Sequence, residues 1–260
     1  MAYPTVIYGP EGEQFNNYDS RRWPLGTRMV LQDGRRYAFV EAGGTALATG
    51  KVQQSEVPDA DHDTLAVQAA AAVGARTISL TNGSDAIEAN LYADGLAATE
   101  ANAGGGEGYL YKIELTHASL AASATVSLPL APGYGVQVAL NTSDTVTLVK
   151  NPYADVIISG APPAALIVGV ATSPTPANNW GWVQTWGPTV VLIDGTATQG
   201  DRVSPCGTAG NSTAGAVEAS GTVITSTAAT AAQISELIQI GTVMETAPTT
   251  DYGLVFMTIS

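Results

Sequence analysis

The run W-G-W-V-Q-T-W-G-P-T-V-V-L-I, residues 180–193, decides how the chain is read. Successive side chains of an extended strand alternate between faces. Trp180, Trp182 and Trp186 share one parity and are expected on one side, with Gly181, Val183 and Thr185 on the other. The apolar end of the run closes on Asp194-Gly195, a turn dipeptide, and Q-G-D-R-V follows around Gly200 and Asp201. Three further short apolar runs, at 214–219, 240–247 and 251–259, complete a compact all-β module. The end of the last, Leu254 to Ile259, is apolar on both parities, which suits burial between sheets or between subunits. Trp180, Trp182, Trp186 and Phe256 are therefore candidate core or subunit-interface residues.

Upstream the pattern is also β. Residues 28–32 and 36–41 flank Asp33-Gly34-Arg35 and predict a hairpin. Ile78 and Leu80 alternate with Thr77, Ser79 and Thr81 before an Asn82-Gly83 turn, and short strands at regular spacing continue to residue 160. Such spacing marks a sandwich or barrel. Two helices are expected at most. One spans 61–73, capped by Asp61 or Asp63 and ended by Gly74; the other spans 231–240, with Ile234, Leu237 and Ile238 at helical spacing. The Pro-rich connector 160–165 sets a boundary near residue 165. The expected fold is thus all-β and rich in sandwich or barrel structure. It comprises an extended N-terminal arm (1–24), a β-rich domain (25–165) and a C-terminal β-barrel or sandwich module (166–260). The arm carries Tyr3, Tyr8, Phe15, Tyr18 and Trp23 and no regular period, so contact with something else is expected to order it.

Composition narrows the function. Only 13% of residues are charged, and a surface of small uncharged side chains suits a protein covered by its own copies or by partners. The net charge of −13 argues against binding nucleic acid through phosphates. Yet Arg21, Arg22, Arg28, Arg35 and Arg36 fall in one short span, half of the ten basic residues. They either form a patch that docks on an acidic neighbour or pair locally with Glu11, Glu13, Asp19 and Asp33.

Catalytic signatures are lacking: no H-E-x-x-H, no Cys/His cluster, no G-x-S-x-G and no phosphate loop occur. Gly104, Gly105 and Gly106 precede an alternating segment and read as a hairpin tip. His62, between two aspartates, reads as part of a helix cap and not as a metal ligand. Cys206 is the single cysteine, so no intramolecular disulfide can form. No apolar run is long enough for a membrane span, and the first residues do not resemble a signal peptide. No enzyme activity, cofactor or metal is expected.

Residues 168–171, W-G-W-V-Q-T-W-G, the D-G and G-D turns, A-G-A-V, I-G-T-V-M and D-Y-G-L-V-F-M-T-I together resemble the capsid decoration (cement) proteins of tailed phages. This broad class includes the lambda-type head decoration proteins. G-E-G-Y-L-Y-K-I and V-K-N-P-Y are similar to segments of marine phage virion proteins. The resemblance implies a β-rich protein, often a homotrimer, on the outer surface of the expanded capsid after assembly in the host cytoplasm. The arm would engage the major capsid protein through Arg21, Arg22, Trp23 and Arg28. Alternative readings are a head-fibre or tail adhesin for host glycans, or a major shell or tube subunit.

Overall fold

A computed structural model describes residues 5–101, 106–133, 135–207, 213–219, 239–248 and 250–259. Their regular elements are strands and two short 3-10 turns, so the all-β expectation holds. In chain order the first strands are β1 (Val6–Tyr8), β2 (Arg28–Val30), β3 (Arg36–Glu41) and β4 (Val52–Gln54). Next come β5 (Leu65–Ala69), β6 (Thr77–Thr81), β7 (Leu96–Ala101), β8 (Leu110–Lys112), β9 (Thr125–Pro129) and β10 (Thr145–Val149). The last are β11 (Ile157–Ile158), β12 (Ile167–Ala171), β13 (Trp180–Ile193), β14 (Arg202–Pro205), β15 (Val217–Ala219), β16 (Gly241–Val243) and β17 (Asp251–Thr258).

The division of the chain differs from the one expected. Pro58–Asn151 forms one unit, and Met1–Val57 with Pro152–Ser260 forms a second, discontinuous one. The Pro-rich connector is not a boundary because the strands on either side of it, β11 and β12, both pair with β4. It is a loop within one sheet. The Gln54 side chain holds it there, its Oε1 accepting from the backbone N–H of Gly160 (3.1 Å) and Ala164 (3.3 Å).

In the discontinuous unit, β13 pairs with both β15 and β17, and the order β13-β15-β14-β16-β17 returns to β13. The result is a closed five-stranded barrel. So narrow a barrel must be filled by compact side chains. Val191, Ile193, Val203, Val217, Val243 and Val255 do so. The other half of β13 carries the predicted hairpin β2–β3 on one edge and β12 on the other.

The arm is held by its own unit. β1 adds to β2 in parallel, and Tyr18 exchanges backbone hydrogen bonds with Trp180 (2.8 and 2.9 Å). Trp23 packs on Phe39 and Trp182, each with ring centroids 5.2 Å apart.

The inserted unit is a six-stranded sheet, β8-β7-β10-β5-β6-β9, with every neighbouring pair antiparallel. Its outer strands meet where Ile113 bridges Leu130, so the sheet curls round its core. Alternation drives this: Ile78 and Leu80, Val126 and Leu128, and Val146 and Leu148 are buried while their neighbours are not.

The helix expected at 61–73 is absent. A 3-10 turn (Ala60–His62) gives way to β5, whose Leu65 and Val67 are buried beside exposed Ala66 and Gln68. Two inward apolar residues at strand spacing outweigh the alanines' helix propensity. The cap is Asp59, whose side chain accepts from Asp61 N. His62 touches that cap, its Nδ1 3.3 Å from Asp59 Oδ2, but its ring lies in the core, with Nδ1 2.7 Å from the Tyr92 hydroxyl. The helix expected at 231–240 falls, up to residue 238, outside the described residues.

One device recurs in both units. Four isolated bridges join Leu47 to Thr175, Ala71 to Leu140, Ile87 to Leu120 and Ala197 to Ala247. Three residues after seven of these eight positions the backbone φ is positive, at Gly50, Gly74, Asn90, Ser123, Asn178, Gly200 and Thr250. A positive φ at the third residue of a four-residue turn, with none at the second, defines type II, and N–H donation from Lys51 to Ala48 O and from Asp201 to Thr198 O closes such turns. The positive-φ residue also donates across the pair, Gly50 to Ala171 O (2.7 Å) and Gly200 to Val243 O (2.9 Å). The exception follows Leu140, where Asp144 Oδ2 accepts from Asn141 N and Asn141 Oδ1 accepts from Ser143 N. There side-chain caps shape the turn.

Candidate interaction surface

The surface begins at an irregularity in β13. Against β3, Gln184 lies opposite Tyr37 but Trp186 lies opposite Arg36, leaving Thr185 as an extra residue. A bulge of this kind turns the following side chains to the other face. The three tryptophans therefore do not share a face. Trp180 and Trp182 lie on the aromatic side with Met29, Tyr37 and Phe39, and Trp182 is buried. Trp186 emerges on the opposite side, where Arg36 stacks over its ring at 5.1 Å and Phe256 meets it edge-on at 5.5 Å.

From there the outward positions of the paired strands run Trp186/Thr258, Pro188/Phe256, Val190/Leu254 and Leu192/Tyr252. Val190 is 53% exposed and Tyr252 50%, too open for core residues of the barrel they decorate. Met244, beside Leu254, extends the patch. Leu192 ends it, being covered by Ala161, Cys206 and Ala216. Tyr252 leans on Gly50, where an added Cβ would come within 2.6 Å of its ring. The result is an outward apolar sheet face on the closed barrel, a feature that marks interaction sites.

Two arginines border it. Arg36 lies beside Trp186, and Arg202 lies opposite Thr242, which is itself opposite Phe256. Among the described residues neither has a carboxylate partner. Arg35 differs: its guanidinium reaches Glu11 at 2.8 Å and Asp33 at 2.5 Å, and donates to the Tyr37 hydroxyl. That pairing holds Glu11 below the ordinary glutamate value. Partial burial by itself would raise Asp33, but hydrogen bonds from Arg35 outweigh it and leave Asp33 lowered too. The sign follows: the link is present above the ordinary carboxylate range and lost as pH falls through the depressed values. An NMR titration of the Glu11 carboxyl should show a midpoint below that of a free glutamate, and Arg35→Ala should raise it. An unchanged midpoint would show that Arg35 does not hold the carboxylate in solution.

The N-terminal candidates do not form one patch. Arg21 donates from Nε to Trp23 O, and Arg22 lies over the Tyr18 ring at 4.6 Å. Trp23 belongs to the aromatic side of the sheet, whereas Arg28, opposite Ala38, shares the face of Arg36. Val190, Tyr252, Leu254, Met244 and Arg202 were not singled out in the sequence. The double-parity apolarity of 254–259 was the signal for Leu254 alone, since a strand with Val255 and Met257 inside must present Leu254 and Phe256 outside.

Cys206 is buried beside the patch, its Sγ 3.7 Å from Asp194 Oδ2. Burial and the nearby carboxylates push the thiol up to about 11. A disulfide reagent at pH 8 should leave the folded protein unlabelled and react fully in denaturant. Stoichiometric labelling of the native chain would contradict the burial.

Among the described residues no helix is long and apolar enough to cross a membrane. Comparison of the chain with protein-family models, curated proteins and solved structures finds no match in any of the three.

Proposed function

We propose that the chain is a structural virion protein that decorates the outside of a tailed-phage head and stabilises the shell against internal pressure. It acts by binding, with the major capsid protein as its partner and a homo-oligomer, a trimer by preference, as its working form. The observation that best supports this is the outward apolar face on β13 and β17, bordered by arginines that have no carboxylate partner among the described residues. A face of about eight side chains is small beside a standard interface of about 800 Å² per partner. Repetition on a symmetric particle compensates, because linked weak contacts gain avidity without any new contact. The low charge of the remaining surface is consistent with neighbours packed closely round it.

The test is co-sedimentation with empty expanded heads assembled from the major shell protein encoded alongside the chain. Saturable binding and a higher temperature of head disruption are expected. Heads that neither bind the protein nor gain stability would dismiss the proposal.

A further inference from the structure

We infer that the outward face of β13 and β17 docks a protein surface that has an apolar centre and carboxylates at its margin. The inference rests on the decoration reading and names the part of this chain that makes the contact.

Three observations carry it. The first is shape and chemistry: Trp186, Pro188, Val190, Tyr252, Leu254 and Phe256 form a continuous strip on a closed barrel whose interior is already filled. Their exposure is not needed for folding. The second is the charge pattern. On β3 and the five barrel strands the exposed outward charges are Arg36 and Arg202; Glu218 of β15, opposite Ser204, also points outward but is buried, and Asp251 stands at the rim where β17 begins. Basic charge thus borders the strip itself, in a chain with 23 acidic and 10 basic residues. The third is preorganisation. Arg36 is stacked on Trp186, so its guanidinium is already placed at the edge of the strip. A stacked arginine loses less freedom on pairing with a planar carboxylate, and Arg suits such pairing better than Lys.

The aliphatic centre and the net charge of −13 favour a protein partner over nucleic acid. Carboxylates at the rim would steer approach and orientation, and the apolar centre would set residence time.

The test uses the full chain and the same empty expanded heads. Val190→Asp places a charge in the strip. Tyr252→Ser is the second variant, should the first fold poorly, and circular dichroism melting checks both. Each should weaken binding to the heads at least tenfold with the melting temperature kept. Arg36→Glu combined with Arg202→Glu should weaken it too and flatten its dependence on salt. If folded strip variants bind heads as wild type does, the inference fails while the decoration reading survives. If the wild type does not bind heads, both fail. If Val190→Asp leaves head binding intact but breaks up a wild-type oligomer, the strip joins copies of this chain and the inference is overturned.

Discussion

Trp182→Ala should destabilise the discontinuous unit by about 3–5 kcal/mol, the range for removing a large buried aromatic side chain. Trp182 is 1% exposed, and its ring lies 5.0 Å from Phe39 and 5.2 Å from Trp23. Aromatic pairs of this kind add roughly 0.5–1.5 kcal/mol beyond area burial. The truncation also removes the floor on which Trp23 rests. The arm should therefore loosen before the barrel unfolds, with faster proteolysis around residues 16–22. Trp186→Ala is the control, since that ring faces outward and its loss should cost about 1 kcal/mol or less. Urea melts of the two variants decide the matter. Equal losses would mean that the bulge at Thr185 does not separate the two rings as described.

The second large effect concerns the insertion. Replacing residues 58–151 with a short Gly-Ser linker should leave the discontinuous unit folded, and residues 58–151 alone should fold as well. Gln54 pairs with Ile157 on the side where the chain leaves, so the cut ends start from adjacent antiparallel strands about 5 Å apart. In the inserted unit, Leu65 pairs with Val146, which brings its own ends together in the same way. The inserted unit's hydrophobic core is drawn wholly from residues between Leu65 and Leu148. Two native-like melting transitions, one from each fragment, are expected by calorimetry. Loss of cooperative unfolding in either fragment would show that the two are not autonomous.

How much of this was legible in the sequence follows from the range over which each signal acts. The 28–41 hairpin could be read because its turn is local and Gly34, at φ +87°, sits where Asp-Gly is expected to bend. The strand at 77–81 was equally plain from its alternation. Residues 61–73 misled because alanine propensity is a local preference, whereas the inward pull on Leu65 and Val67 comes from strands far along the chain. The boundary near 165 misled for a related reason. Proline marks a bend, and only the pairing of β4 with both flanking strands tells a bend from a linker.

The candidate surface was half visible. Trp186 and Phe256 could be named, but their association with Val190 and Tyr252 depends on a single extra residue at Thr185. Nothing in T-W-G-P distinguishes a bulged strand from a regular one, so parity counting carried Trp186 to the wrong face. The recurring hooked turns escaped notice because their shared property is the sign of φ, which glycine, asparagine, serine and threonine all supply here.

Those turns have a consequence for how the protein tolerates change. Each corner is fastened by amide and carbonyl groups, and a carbonyl is present whatever the side chain. Substitution can rewrite most letters around a corner provided the third residue still accepts a left-handed backbone. Asn90 shows the latitude: five further residues separate it from β7, and the hook to Leu120 is intact. Loops beside these corners are therefore places where new peptide can be grafted with the frame left standing.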